Sequence, residues 1–584
     1  MKQILCVFLT GILLLAGCAN KKTPDNAYGG FYKEAPDNLD YTASGEARNL
    51  FLTANFTEGL MEYDEEGKLV GAIASSAESN EDKTVWTFQL RKDIQWVNAD
   101  GEEYAEVTAE DFVTGLQHAL DKKSEDAKIL AKRIVGAESY MNGTGSFAAV
   151  GIEAADPYTL IYRLTAPCDF PALTVHGVLY PINRSFFESK SCSLGNGDSP
   201  VCRFGETGKD NILYNGPYLL SEYSEKGTIR LVKNENYRDR RKVYPKEVTF
   251  YYDDGTDPHF AMKKFEDGEI SYAPIESFWF KDDYDSYMSK YEGYVRTAAP
   301  DDSLRFVLYN PDRVYGEGSE RSAEEIENTR KALADKNFRL AILTAFDRSL
   351  YLTPECADKT LGNMSLRNTI SEGGAEYRTI LEAKLKGSFL SGKDLADGAD
   401  AFFDPAASKS FLALAGESGI TFPVILELGF PADDPGMMHR ASIFKNSVET
   451  STNGQILIRL SEGADKTQSD LTLTDVLTPL TLDPASYLEE LMTHLAGEEN
   501  ESVRVFNDFM RAAESTKDAE AKTEKYAEAE AWVLSEGLII PIGASSAVRT
   551  ATRVKNADTP RTSRGMCAYR LKYLYVSDTL VKSE

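Results

Sequence analysis

The side chains that could ligate a metal ion or act as nucleophiles are scattered along this chain. Its five histidines form no H-x-x-x-H or H-E-x-x-H pair, which argues against a metal site. The sequence has no G-x-S-x-G nucleophile elbow and no complete G-x-x-x-x-G-K-S/T phosphate loop, and Gly195-Asn196-Gly197 is too short to form one. The pattern predicts a protein without a metal or nucleotide cofactor.

Carboxylates are the remaining groups with catalytic potential. Two of them on either side of a bond can act as acid and base, as in glycosidases. The chain has 92 acidic residues, so pairs are expected by chance and none marks an active site. We therefore expect a protein that is not an enzyme. Hydrolysis by carboxylates that meet only in space is the catalytic alternative.

Seven cysteines are present, and two of them flank a loop rich in glycine and serine. Cys192 and Cys202 enclose residues 193–201, and a disulfide would close this loop in an oxidising compartment. Two free thiols in a surface insert are the alternative. The spacing lacks paired C-x-x-C elements, so it does not indicate a zinc site.

The first residues indicate export. Lys2 precedes the apolar run Ile4–Leu15, about a dozen residues where a membrane-spanning helix needs roughly 20. The run ends in Leu15-Ala16-Gly17-Cys18, which resembles a bacterial lipobox, whose cysteine is acylated and becomes the mature N-terminus. We expect a signal peptide at 1–17, a lipidated N-terminus and linker at 18–30, and membrane attachment through this lipid alone. An ordinary secretory signal with an incidental cysteine is the alternative.

Composition restricts the partners further. The formal net charge is −28, from 64 basic and 92 acidic residues, and 42% of the residues are hydrophobic. Such a negative surface argues against binding nucleic acid or adsorbing to anionic lipid. The apolar fraction is ordinary for a globular protein, and the chain is long enough for two or three domain-sized cores.

The elements that would position a site are clearest between residues 86 and 120. Three apolar residues alternate with polar ones at the period of a half-buried strand: Trp86, Phe88 and Leu90. Asp100-Gly101 marks a turn. Thr108 is a suitable helix N-cap with Asp111 three residues later. The apolar face of the predicted helix consists of Phe112, Val113, Leu116 and Leu120.

This block, WTFQLRKDIQWVNADGEEYAEVTAEDFVTGL, closely resembles the signature of the family 5 extracytoplasmic solute-binding proteins, which serve peptide ABC importers. Other motifs similar to those of the family are spread over nearly all of the chain: Glu58-Gly59-Leu60, Asp156-Pro157-Tyr158-Thr159-Leu160, Asn215-Gly216-Pro217-Tyr218, Asn234-Glu235-Asn236-Tyr237 and the segment 339–348. We expect Arg339, Asp347 and Arg348 of the last motif to be structural ion-pair and capping residues.

The resemblance implies an α/β fold of two lobes, the periplasmic-binding-protein architecture of class II (cluster C), with an extra subdomain inserted in lobe I. The expected boundaries are 31–302 for the first part of lobe I, with the subdomain at 61–177, then 303–540 for lobe II and 541–584 for the return to lobe I. The strand Leu538–Ile542 is expected to make that return.

The resemblance also implies a ligand-binding segment in lobe I. In the family a strand-like stretch before the E-G-L motif pairs with the ligand backbone, and its equivalent here is Ser44-Gly45-Glu46-Ala47. Asn234 is expected to face the cleft. The alternative for both is a loop residue without a ligand role.

Lobe II contains the main departure from the family pattern. Members often carry W-x-x-D-Y-x-D-P, where the first Asp anchors the ligand's α-ammonium. The matching segment here is Leu477–Pro484, in which Leu480 replaces that Asp and Thr478 lies beside the expected pocket. A buried ammonium needs a charge partner. Either another carboxylate such as Glu46 or Asp475 supplies it, or free N-termini are not bound.

The function implied by the resemblance is that of a lipid-anchored receptor on the extracytoplasmic face of the membrane, in the periplasm or at the cell surface. It would capture oligopeptides, act as a monomer and deliver them to an ABC permease, whose ATPase subunits do the work. No nucleic-acid partner is expected. The alternative is a degenerate member that acts as a cell-surface peptide sensor or adhesin, which the loss of the anchoring Asp favours.

Overall fold

The computed structural model describes residues 26–43, 45–195, 201–275, 283–297, 304–315, 321–352, 377–393, 395, 400–432, 435–464, 467–473, 484–495, 500–516, 518–544, 549–556 and 565–582. The signal peptide, Cys18 and the linker up to residue 25 lie outside the described residues. Within the described ranges, no helix has the length and hydropathy needed to cross a bilayer.

The described strands and helices follow one another in mixed order along the chain. The strands are β1 Ala27–Tyr32, β2 Met61–Tyr63, β3 Leu69–Gly71, β4 Ala74–Ser79, β5 Val85–Leu90, β6 Gln95–Val97, β7 Glu103–Glu106, β8 Ile152–Asp156, β9 Thr159–Arg163, β10 Tyr218–Glu222, β11 Thr228–Lys233, β12 Glu247–Tyr252, β13 Tyr272–Pro274, β14 Val295–Thr297, β15 Leu304–Tyr309, β16 Val424–Phe430, β17 Ile456–Glu462, β18 Leu471–Leu473, β19 Ile539–Ala544 and β20 Arg549–Thr552. The α-helices are α1 Ala47–Thr53, α2 Ala109–Lys122, α3 Glu125–Ala131, α4 Ala137–Met141, α5 Phe170–Leu173, α6 Arg184–Ser189, α7 Phe260–Glu266, α8 Tyr284–Lys290, α9 Ala323–Ala334, α10 Lys336–Ala345, α11 Arg348–Leu352, α12 Tyr377–Lys384, α13 Pro405–Glu417, α14 Pro435–Ser451, α15 Pro484–His494, α16 Glu501–Ser515 and α17 Ala519–Ser535.

The first lobe is built around two four-stranded sheets. One has the order β1-β12-β11-β10, with β1 parallel to β12 and the other pairs antiparallel. The other, β4-β5-β9-β8, is antiparallel and packs against α2. It lies within the predicted subdomain, residues 61–177. Buried side chains from both sheets form one continuous core, so burial of apolar surface holds the two parts together.

The strand, turn and helix that the sequence predicts after residue 85 are present. Strand β5 buries alternate side chains: Trp86, Phe88 and Leu90. The carboxylate of Asp111 accepts a hydrogen bond from the backbone N–H of Thr108 at 2.8 Å, as a capping box at the start of α2 requires. Burial raises the pKa of Asp111 to about 6, although the hydrogen bonds that its carboxylate accepts from Thr108 and Trp96 lower the pKa.

The second lobe has its own sheet and its own core. Its five strands have the order β17-β16-β18-β15-β19, in which β17, β16 and β18 are parallel and β15 is antiparallel to its neighbours. Helix α10 buries the face that the sequence predicts: Phe338, Ala341, Ile342 and Ala345. The separate core makes this lobe a structural unit distinct from the first.

The charged residues around α10 have the structural role that the sequence predicts. Arg339 is buried and donates to the carbonyl oxygens of Leu333 and Ala334 at 3.1 and 2.7 Å, which satisfies the end of α9. Arg348 is fully buried and lies 3.4 Å from the Asp400 carboxylate. Burial lowers the pKa of both guanidinium groups, more than their acidic neighbours raise it.

The chain passes twice between the lobes, next to a small three-stranded sheet, β13-β20-β14. One passage leads from β14 to β15 and the other from β19 to β20. The sequence prediction that Leu538–Ile542 returns to the first lobe is wrong, because β19 pairs with β15 inside the second lobe's sheet and continues to Ala544. The other predicted boundaries stay predictions.

Candidate ligand-binding site

The segment predicted to pair with a ligand backbone lies between β1 and α1. Gly45 and Glu46 are both exposed, and Glu46 immediately precedes α1 without capping it through its side chain. Ala47 is the first residue of the helix. Ser44 lies outside the described residues. The carbonyl oxygen of Glu46 accepts the N–H groups of Asn49 and Leu50 at 2.9 and 3.0 Å, so α1 uses it, and a ligand contact in this segment stays a prediction.

Gly45 and Glu46 line a polar cavity of about 740 Å³. Four carboxylates are among its described lining: Asp37, Glu46, Asp126 and Glu206. Arg48 offsets part of this charge, because it pairs with Asp37 at 2.8 Å and with Glu46 at 2.5 Å. The remaining negative charge favours a cationic group on whatever enters the cavity.

A buried pair holds the residues just before the predicted binding segment against α2. The Asp40 carboxylate lies 2.7 Å from Nε2 of His118, and both side chains are only 4% exposed. The hydroxyl of Thr42 donates to the same carboxylate at 2.7 Å. Burial alone would raise the pKa of Asp40, but His118 and Thr42 outweigh it and the pKa lies below its ordinary value. No local pattern in the sequence predicts this pair, because its members are 78 residues apart.

The segment that follows a disulfide forms another wall of the cavity. Cys192 and Cys202 are joined, which is the first of the two alternatives that the sequence leaves open. Phe204 and Gly205, shortly after Cys202, line the cavity. Gly205 has a φ of +79°, and a Cβ there would lie 2.6 Å from the backbone nitrogen of Asp40, so only glycine allows this approach.

Asn234 lies in a turn after β11 and is 1% exposed. Its side-chain amide donates to the carbonyl oxygen of Gly216 at 3.0 Å, and its side-chain oxygen accepts from the backbone N–H of Asn236 at 3.0 Å. In this conformation the protein's own backbone uses both polar ends of the side chain. Contact between Asn234 and a ligand stays a prediction.

Thr478 and Leu480 lie outside the described residues, as do Leu477 and Asp475. The segment 474–483 that contains them connects β18 to α15. Their expected role at the ligand's N-terminus is therefore neither supported nor contradicted by geometry.

A second cavity, of about 540 Å³, lies between β1, α1 and β20. Its described lining includes a group of aromatic residues: Tyr28, Phe31, Tyr32, Phe51, Phe250, Tyr272 and Tyr569. Arg48 also lines it and so stands between the two cavities. None of the expectations drawn from the sequence includes this cavity. The aromatic residues of β1 were its only local signal, and the other walls come from distant parts of the chain.

Two of the family-like motifs meet in a buried ionic network behind α1. Glu58 of the E-G-L motif is fully buried and accepts from Arg238 at 2.6 Å and from the hydroxyl of Tyr237. Lys572 is also fully buried, 2.5 Å from Glu62 and 3.6 Å from Glu58. Arg570 completes the network, 3.5 Å from Glu58. The motif glutamate therefore fixes the C-terminal segment to the first lobe.

Metal ligands do not assemble anywhere in the described part of the chain: no group of three or more His, Cys, Asp or Glu side chains is placed to hold an ion there. What the described site offers instead is a polar cavity and an adjacent aromatic cavity. Such features suit reversible binding of an organic ligand.

Comparison with known proteins identifies relatives over nearly the whole chain. The family model described as "Bacterial extracellular solute-binding proteins, family 5 Middle" matches residues 68–447. The oligopeptide-binding protein AliB of Streptococcus pneumoniae is 31% identical over 621 residues, covering 98% of this chain and 93% of AliB. The oligopeptide-binding protein AmiA of the same species is 30% identical over 625 residues, with the same coverages.

Solved structures show the same fold. The substrate-binding domain of an oligopeptide ABC transporter from Bacillus anthracis superposes with a TM-score of 0.71 at 20% identity, over 95% of this chain and 99% of that domain. The likeness establishes the two-lobe architecture of periplasmic binding proteins for this chain.

Proposed function

This chain belongs to family 5 of the bacterial extracellular solute-binding proteins, a family without enzymatic activity, and we propose that it captures peptides outside the cytoplasmic membrane for an ABC importer. The observation that carries the proposal is the identity of 31% to an oligopeptide-binding protein over 98% of the chain. Its partners would be the peptide, the permease and the ATPase subunits. The protein itself would act as a monomer that breaks no bond.

The geometry of the first lobe supports peptide capture. An extended peptide would lie along the exposed residues Gly45 and Glu46, where contacts with its backbone would give affinity without dependence on sequence. The polar cavity beside this segment is large enough for side chains or a terminus. The two lobes have separate cores, which suits closure of one lobe against the other over a ligand.

Titration calorimetry with a panel of short peptides tests the proposal. We expect saturable binding of one peptide per chain, and a ligand at a hundred times its Kd should stabilise the folded protein by about 2.7 kcal/mol. The peptide should be recovered intact. A panel of varied length and charge that gives no binding, or a peptide that is hydrolysed, would contradict the proposal.

The terminus of the peptide gives a sharper prediction, which follows from Leu480 in the position of the usual anchoring Asp. If the pocket there lacks a charge partner, N-acetylation of a peptide should change its affinity little or improve it. A relative with the Asp should lose several kcal/mol, since breaking a buried charge pair costs about 3–5 kcal/mol. Calorimetry on matched free and acetylated peptides measures the difference.

A large loss on acetylation would instead mean that another carboxylate anchors the ammonium. Glu46 is the described candidate, because it is exposed at the edge of the polar cavity. Glu46→Gln should then remove the preference for free termini. Asp475→Asn serves as the matched test of the other candidate, and Glu78→Gln on the distant strand β4 serves as the control.

The lipid anchor is a further part of the proposal, and it rests on Leu15-Ala16-Gly17-Cys18. We expect Cys18→Ala to move the protein from the membrane fraction to the soluble extracytoplasmic fraction. Detergent partitioning of the two proteins, expressed from the same signal, measures this. Unchanged partitioning of the Cys18→Ala protein would contradict acylation at this residue.

Sensing or adhesion at the cell surface is the second candidate function, and Leu480 is the observation that favours it. A sensor would bind peptide and alter signalling without uptake. Peptide-dependent growth of a strain that lacks the chain, compared with the complemented strain, separates the two. Restoration of uptake by the chain supports transport.

A further inference from the structure

An ion pair connects the first lobe directly to the second. Nη2 of Arg133 lies 2.6 Å from Oε2 of Glu489, although the two residues are 356 positions apart in sequence. The side chains are 24% and 21% exposed, so the pair is neither fully solvated nor fully buried. Arg133 lies between α3 and α4 of the first lobe, and Glu489 lies on α15 of the second.

Both residues are held by well-anchored backbone. The carbonyl oxygen of Arg133 accepts from the N–H and the hydroxyl of Thr165 at 2.9 and 3.3 Å, which fixes it to the end of β9. On the other side, the neighbours of Glu489 on α15, Leu488 and Leu491, are buried in the second lobe's core. Because each end is anchored within its own lobe, the pair can persist only when the lobes are close together.

We infer that Arg133 and Glu489 form a latch that stabilises the closed arrangement of the two lobes and so sets the affinity for ligand. The inference deepens the proposed function, on which its link to peptide binding rests. Opening the lobes would separate the two charges and expose both to water. Pairs with this degree of exposure are worth a modest amount, so the ratio of closed to open protein should change by about two- to fivefold.

The latch makes ligand affinity depend on ionic strength. A ligand that binds the closed form gains or loses apparent affinity in proportion to the fraction of protein in that form. Salt shortens the range of a charge interaction from about 10 Å at 0.1 M to about 3 Å at 1 M. Peptide affinity should therefore fall with salt even for an uncharged peptide, unless the latch has been removed.

Fluorescence resonance energy transfer between two dyes, one attached to each lobe, tests the latch in the full chain without any peptide. We expect Arg133→Gln and Glu489→Gln each to lower transfer at low salt, and the double variant to lower it no further than either single variant. Reversal of the pair, Arg133→Glu with Glu489→Arg, should restore transfer. In 1 M salt the difference between the wild-type protein and the variants should become smaller.

The control is Arg163→Gln, which removes a pair of 2.9 Å with Glu153 that lies wholly within the first lobe. It should leave transfer unchanged. The latch would be overturned if transfer were equal in the wild-type protein and all variants, or if the effects of the two single variants were additive. A loss of transfer in Arg163→Gln equal to that in the latch variants would also overturn it. Because these measurements need no peptide, they can fail while peptide capture holds, and the calorimetric titration can fail while the latch holds.

Discussion

Glu58→Gln should lower the free energy of unfolding of the first lobe by about 3–5 kcal/mol, the cost of removing one partner from a buried ion pair. Glu58 is fully buried and is shared by Arg238, Arg570 and Lys572. Glutamine keeps the size of the side chain but removes its charge, so the three cations would face Glu62 alone. Urea unfolding at neutral pH measures the loss.

The same change should alter the response to acid. Burial would raise the pKa of Glu58, but Arg238, Lys572 and Arg570 lower it from 4.5 to about 2. A carboxyl whose folded pKa lies below its unfolded value stabilises the protein fully above pH 4.5, and this contribution is lost as the pH falls towards 2. Wild-type stability should therefore fall more steeply across this window than that of Glu58→Gln.

A matched control and a double variant complete the test. Glu153→Gln removes an exposed carboxylate paired with Arg163 and should cost no more than about 1 kcal/mol. Lys572→Met in the Glu58→Gln background should recover part of the loss, because it removes one of the unbalanced cations. A Glu58→Gln protein as stable as Glu153→Gln would show that the network is not held by charge.

The disulfide should contribute about 3 kcal/mol to stability. It closes a loop with a sequence separation of 10 residues, and the chain-entropy relation for a loop of that length predicts this stabilisation. The double variant Cys192→Ser/Cys202→Ser should melt at a lower temperature than wild type. It should also bind peptide more weakly, because Phe204 and Gly205 shortly after the bridge line the polar cavity.

A reducing agent separates the bridge from a general effect of cysteine replacement. It should destabilise the wild-type protein and leave the double variant unchanged. Cys168→Ser is the matched control, since Cys168 is outside the disulfide, and it should respond to reduction as the wild type does. A double variant that melts with the wild type would contradict a stabilising role for the bridge.

Local patterns in the sequence predicted the elements well. The alternation of Trp86, Phe88 and Leu90 and the capping pair Thr108 and Asp111 depend on residues close in sequence, and the structure contains both. The buried face of helix α10 could be predicted for the same reason. The lobe to which β19 belongs could not be predicted in this way. Its apolar residues suit a buried strand in either lobe, and only its pairing with β15 decides between the two lobes.

The site was less predictable, because its contacts join distant segments. Asp40 and His118 come together across 78 residues, and Arg133 meets Glu489 across 356. Neither pair has a spacing that a motif could reveal. The resemblance correctly directed attention to Glu58-Gly59-Leu60, yet the role of Glu58 is to hold Arg238 and the C-terminal segment.

The central claim is that this chain carries peptides and releases them unchanged. Native mass spectrometry of the full chain, purified from its own source without denaturation, tests it most directly. We expect a bound mass that dissociates on activation as one peptide, or a set of peptides, per chain. A protein that carries no peptide, and that binds none from a complex peptide mixture added afterwards, would contradict it.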